Sequence, residues 1–202
     1  MFNKTVLACA LLGLLAAGNA TASTWVESIN GDLSNNWLSP SALSLTAGNN
    51  IVQGSFGAPD LDYLTVTVQN GFVLDAIITG VGNNTGLSRS FIGVQAGSAM
   101  TVPPTATSAA GLLGWTHYGT ADGVNLLPAI GTGIGAIGFT GPLAAGAYTF
   151  WFNEVSSDAG LAFDMNFHTT PAPVPLPAAL PLLLSGLAGF GLMGRRRGAI
   201  TA

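Results

Sequence analysis

Two aspartates separated by one residue, Asp60 and Asp62, have the spacing in this sequence that most directly suggests metal chemistry. Side chains alternate along an extended strand, so both carboxylates are expected to point to the same side. Together with Asp32 or Asp122 they would offer the hard oxygen ligands that Ca²⁺ prefers. The alternative is a solvated strand edge whose carboxylates accept hydrogen bonds from turn N–H groups. Ca²⁺ is the one cofactor that this pattern suggests.

Trp115 and Tyr118 form an aromatic group, with Trp37 as a third candidate, of the type that stacks on sugar rings. The competing interpretation, which is the commoner case, is that these side chains are buried or anchor a loop. His117 lies between the first two in a stretch with loop-like composition.

Catalytic patterns are weak. The two histidines, His117 and His168, are the only imidazole bases, and neither a G-x-S-x-G nor an H-E-x-x-H motif is present. Residues 133–138 match G-x-G-x-x-G, but the Phe-Thr-Gly-Pro that follows does not begin a helix, as a dinucleotide site requires. We therefore predict that the protein is not an enzyme, with a secreted hydrolase as the alternative.

Alternating apolar and polar residues predict the elements that would position these groups. Residues 63–68 and 72–78 alternate clearly and are joined by Asn70-Gly71, which is a strong hairpin signal. Leu161, Phe163, Met165 and Phe167 fall on one face of a late strand. Further strands are predicted at residues 25–29, 50–53, 91–94, 136–139 and 147–153.

Short strands, frequent turns and few helix formers predict an all-β domain, a β-sandwich or jelly roll, over residues 23–170. No part of this region shows a convincing helical period. About 150 residues suffice for one sizeable core.

Charge is scarce and unevenly placed. Charged residues make up 7% of the 202 residues, against roughly 25% in an ordinary soluble protein. The net charge is −4, yet Lys4 and Arg195 to Arg197 lie near the ends, and Arg89 is the single base among nine acids between them. A chain without a basic face is not expected to bind nucleic acid.

The N-terminal residues 1–22 have the three parts of a secretory signal peptide. Lys4 is followed by an apolar stretch of about 12 residues, which predicts a short signal helix, and then by Ala20-Thr21-Ala22. This small-x-small site predicts cleavage after Ala22. The single cysteine, Cys9, would leave with the signal peptide.

The C-terminal region has the pattern of a spacer, a membrane span and a basic tail. Prolines dominate residues 171–177, and the 17 residues 178–194 carry no charge. At about 1.5 Å per residue, this helix would be about 25 Å long, close to a bilayer core. Arg195 to Arg197 begin a tail of residues 195–202 that the positive-inside rule places in the cytoplasm.

The same region resembles the PEP-CTERM sorting signal in its VPLPA form. The resemblance rests on the motif Val174-Pro175-Leu176-Pro177-Ala178, the apolar helix and the cluster Arg195-Arg196-Arg197. Leu176 stands where the commoner form has Glu. The resemblance implies recognition by an exosortase, cleavage near the proline motif, and transfer from a transient membrane anchor to the cell surface or an exopolysaccharide matrix.

The middle region resembles bacterial pre-peptidase C-terminal β-sandwiches, which carry an early D-x-D-Y strand and a late G-x-Y strand. The matching pieces are Asp60-Leu61-Asp62-Tyr63 and Gly146-Ala147-Tyr148. This resemblance implies a non-catalytic accessory module. The sequence therefore predicts an exported cell-surface or extracellular-matrix (biofilm) protein with a structural or binding role. A carbohydrate- or Ca²⁺-dependent binding module and a secreted hydrolase are the alternatives.

Overall fold

The computed structural model of the chain describes residues 22–57, 60–81, 90–119, 121–154 and 160–173. They form nine strands and two short helices. The strands are β1 (Thr24–Val26), β2 (Ser41–Ser44), β3 (Ile51–Phe56), β4 (Asp62–Val68), β5 (Phe72–Thr79), β6 (Ser90–Ala96), β7 (Gly114–Tyr118), β8 (Gly146–Glu154) and β9 (Leu161–Pro171). The helices are α1 (Glu27–Asn30) and α2 (Leu127–Gly131).

The strands form two sheets, which confirms the all-β prediction. One sheet has four strands in the order β1-β3-β9-β5, and the other has five in the order β2-β4-β8-β6-β7. The short strands β1 and β2 pair in parallel with β3 and β4, whereas the remaining pairs are antiparallel. The N-terminal segment therefore contributes one strand to each sheet.

The main core lies between the two sheets, as in a β-sandwich. The predicted face of β9, from Leu161 to Phe167, is buried at every second residue. Phe163 stacks on Phe152 of the other sheet with ring centroids 5.1 Å apart. The alternation of apolar and polar residues along β9 thus matches the alternation of buried and exposed side chains, because a sandwich buries one face of each sheet.

A second, smaller cluster covers the outer face of the five-stranded sheet. Tyr63 and Trp151 lie at its base, and Met100, Val102 and Leu112 come from the segment between β6 and β7. Some outward residues of β4 and β8 are therefore buried as well, among them Tyr63, which is 0% exposed.

Four local predictions were wrong. Asn70-Gly71 does not close a hairpin, because β4 and β5 belong to different sheets and the turn carries the chain from one to the other. Residues 136–139 form no strand, and residues 27–29 of the first predicted strand belong to α1 (Glu27–Asn30). Conversely, β2 was not predicted, and His117 lies in β7 rather than in a loop.

Both predicted terminal helices lie outside the described residues, as do Ala20 and the sorting residues from Val174 onward. Among the described residues, no helix has the length and apolar character needed to cross a membrane. The chain divides into two compact units, and the first ends at Pro171. That boundary coincides with the end of β9, at the first residue of the predicted linker.

Candidate functional site

Three carboxylates from separate segments meet at one place. Glu27, Asp32 and Asp62 each bring an oxygen within 4.8 Å of the others. Glu27 is the first residue of α1, and the chain leaves this single helical turn through Gly31, whose φ of +89° suits a residue without Cβ. Asp32 follows directly, and Asp62 is the first residue of β4. We call these three residues the acidic cluster.

Asp62 is the most unusual member of the acidic cluster. It shares the inward face of β4 with Leu64 and Val66, and its exposed fraction is 0%. Neither carboxylate oxygen has a hydrogen-bond partner among the described residues. Burial, and then the nearby charges of Glu27, Asp60 and Asp32, raise the pKa of Asp62 to about 9.

Glu27 is held in place by the four-stranded sheet. The Ser55 N–H donates to Oε2 at 2.7 Å, and the Leu33 N–H donates to Oε1 at 3.4 Å. The carboxylate lies directly over Gly54, where an added Cβ would be 2.4 Å from its carbon. Burial raises the pKa of Glu27, although the two backbone hydrogen bonds oppose this effect.

The two other predicted aspartates differ in their relation to the acidic cluster. Asp60 lies beside it, and burial together with the charge of Asp32 raises the pKa of Asp60. Asp122 is exposed in a turn between β7 and α2 and is not part of the cluster. The structure thus brings Asp62 together with Asp32 and adds Glu27, whereas Asp60, the other member of the predicted pair, is not in the cluster.

The donor set suits a divalent cation. Two oxygens that bind one Ca²⁺ at about 2.3–2.6 Å can be at most about 5 Å apart, so the spacing of the acidic cluster can be bridged by one ion. All five basic residues lie outside the described residues, so within that part of the chain no lysine or arginine neutralises the carboxylates. The unpartnered oxygens of Asp62 are the ligand type that Ca²⁺ prefers.

The aromatic candidates are separated by the structure. Trp115 lies on the outer face of β7 and lines a pocket with Phe91, His117 and Trp151. Tyr118 faces the core between the sheets and is 5% exposed, so it does not share that pocket. Trp37 packs against the second cluster. The predicted pair Trp115 and Tyr118 is thus not a joint stacking surface.

The two histidines do not form a common site. His117 is on β7 of the five-stranded sheet, where its ring is 5.5 Å from that of Trp115. His168 is on β9 of the other sheet, where its Nδ1 is 2.8 Å from Oδ1 of Asp75. The side chains of His168 and Asp75 are both partly exposed.

No protein-family model matches the chain, and no curated protein matches it as a relative. Function must therefore be argued from the site itself.

Proposed function

We propose that this chain is an exported, non-catalytic β-sandwich protein of the cell surface or extracellular matrix whose fold is held together by Ca²⁺ at Glu27, Asp32 and Asp62. The observation that carries the metal site is Asp62, a fully buried carboxylate without a hydrogen-bond partner. A buried charge of this kind is costly unless it is paired or binds a metal.

The position of the acidic cluster suggests what the ion would do. Glu27 rests on β3 of the four-stranded sheet, whereas Asp62 begins β4 of the five-stranded sheet. Asp32 lies within 4.8 Å of both and precedes the buried Leu33. A cation held by all three would fasten the N-terminal segment to both sheets, and its binding free energy would become folding free energy.

Export is supported by the residue patterns of both ends. The signal helix with its Ala20 and Ala22 site, the transmembrane helix at residues 178–194 and the exosortase motif around Pro175 and Pro177 belong to this part of the proposal. Extracellular Ca²⁺ modules bind with dissociation constants of about 0.1–1 mM. A site of that strength would fill outside the cell, where Ca²⁺ is abundant, and would hold the exopolysaccharide-associated form folded.

Thermal unfolding of the purified chain in chelator and in added CaCl₂ tests the metal site. At about 100 times the dissociation constant, Ca²⁺ should add about 2.7 kcal/mol to the free energy of unfolding. For a domain of this size, that corresponds to a rise in Tm of about 5–10 °C. Asp62→Asn should abolish the rise, because the amide keeps the shape of the side chain but removes the anionic ligand.

Asp122→Asn is the matched control, since it removes one exposed acid outside the acidic cluster. It should keep the full response to Ca²⁺. Equal Tm values in chelator and in Ca²⁺, or an equal loss of response in the two variants, would overturn the metal site. If the chain responds to Ca²⁺ but is never exported, the metal site stands and the proposed location is wrong.

A further inference from the structure

The pocket on the outer face of the five-stranded sheet has no part in the acidic cluster. It has a volume of about 250 Å³. Three aromatic side chains form its base and sides: Phe91 on β6, Trp115 on β7 and Trp151 on β8. The segment between β6 and β7 closes it with small residues, among them Ala106, Thr107 and Ser108.

The register of the strands explains how the three aromatic side chains of the pocket come together. Gly93 is paired with Trp115 on one side and with Trp151 on the other, so the middle position of this row has no side chain. The ring of Phe91 occupies the space that a side chain at position 93 would need: an added Cβ at Gly93 would be 2.9 Å from its Cζ. The centroid of Phe91 is 5.9 Å from that of Trp115 and 4.9 Å from that of Trp151.

Besides the indoles, the polar side chains that line the pocket are Thr107, Ser108 and His117. No Asp, Glu, Lys or Arg lines it, and the hydroxyls of Thr107 and Ser108 lie at its edge. The Trp115 ring is fixed, because its Nε1–H donates to the Ile134 carbonyl at 3.0 Å. The Nε1–H of Trp151, a residue that is 7% exposed, has no acceptor among the described residues.

We propose that this pocket binds one ring of a neutral sugar. A sugar ring has an apolar C–H face that packs on indole and phenyl rings, and hydroxyl groups that can form hydrogen bonds with side chains such as those of Thr107 and Ser108. No carboxylate, lysine or arginine lines the pocket to pair with an amine or a uronate, which favours a neutral sugar residue. The pocket is smaller than sites for drug-sized ligands, which suits a single ring of a longer glycan.

The test is affinity electrophoresis of the full chain in gels with dextran, mixed-linkage β-glucan, mannan or galactan, with alginate as the anionic contrast. At least one neutral polymer should retard the protein. Trp115→Ala should weaken binding about tenfold or more, which is the effect of losing one stacking platform. Trp115→Phe should restore part of it.

Ala106→Trp is the second variant, because Ala106 is exposed and the larger side chain would fill the pocket without removing any core group. It should abolish retardation while the Tm stays near that of the original chain. Ile137→Ala is the control, since Ile137 is 72% exposed and lies outside the pocket. Retardation by none of the four neutral polymers, stronger retardation by alginate, or unchanged binding in Ala106→Trp overturns the proposal.

Discussion

Asp62 is the residue where burial and charge are most directly opposed. Its side chain occupies a position on the inward face of β4 that a leucine or valine would fill at no electrostatic cost. A carboxylate transferred there without partners costs several kcal/mol, and the chain avoids this cost in one of two ways. Either the carboxyl stays protonated or a cation compensates its charge.

Because these two states differ in bound protons, the free energy of unfolding must depend on pH in a definite direction. In chelator, folded Asp62 keeps its proton up to a pH of about 9, whereas in the unfolded chain it loses the proton near pH 4. The folded state therefore binds more protons between these limits, and the free energy of unfolding falls as pH rises, by at most about 1.4 kcal/mol per pH unit. Glu27 and Asp60, whose pKa values are also raised, act in the same direction.

Urea unfolding in chelator at several pH values between about 5 and 8 measures this slope. Excess Ca²⁺ should flatten or reverse it, since the ion binds the deprotonated carboxylates. Asp62→Asn should reduce the slope in chelator, which separates the contribution of Asp62 from those of Glu27 and Asp60. A slope that neither Ca²⁺ nor the substitution alters would contradict this account.

Among the elements, β3 has the clearest role in building the acidic cluster. Its Gly54 leaves room for the Glu27 carboxylate, and the N–H of the next residue, Ser55, donates to it.

Gly54→Ala should leave the fold intact, because the group that an added Cβ would meet is the end of the flexible Glu27 side chain. It should nonetheless displace Glu27 and weaken Ca²⁺ binding about 10- to 100-fold, as the loss of a supporting contact does in other metal sites.

Gly80→Ala provides a closely matched comparison. An added Cβ at Gly80 would also be 2.4 Å from a carboxylate carbon, that of Asp164, which is not part of the acidic cluster. Calorimetric titration with Ca²⁺ should therefore show the original affinity for Gly80→Ala and a reduced affinity for Gly54→Ala. Equal affinities in both variants would show that Glu27 is not a ligand.

Sequence patterns predicted the elements better than their connections. Alternation located β4, β5, β8 and β9 because each strand buries one face, and that periodicity is local. The Asn70-Gly71 turn is compatible with a hairpin and also with a crossing from one sheet to the other. Which of the two forms depends on the distant partners of the flanking strands: β4 pairs with β8, and β5 pairs with β9. Local turn chemistry contains no information about such partners.

The acidic cluster was predictable only in part for the same reason. Asp60 and Asp62 were visible as a pair because they are two residues apart in the sequence, although β4 begins only at Asp62 and Asp60 lies just before it. Glu27 is 35 residues before Asp62, and only the placement of α1 against β3 brings it near. The pocket residues Phe91 and Trp151 likewise come from β6 and β8, and only the register with Gly93 joins them.

On the scale of the whole molecule, the charges divide the chain into a basic start, an acidic middle and a basic end. The described residues include no lysine or arginine, and four of their acids, Glu27, Asp32, Asp60 and Asp62, gather at one site. The bases near the ends flank the two predicted helices instead. In the function that we propose, the two ends direct export and the middle of the chain binds ligands.

The C-terminus of the released protein tests that separation. If an exosortase cleaves near the proline motif, mass spectrometry of protein shed from the cell surface should find a C-terminus within residues 174–178. Replacing Arg195, Arg196 and Arg197 by serine should reduce release, because the positive-inside signal that orients the helix is lost. Arg89→Ser, which removes a base from the middle of the chain, should leave release unchanged. Shed protein that still carries the three terminal arginines would refute cleavage, and the helix would then be a permanent anchor or no membrane segment at all.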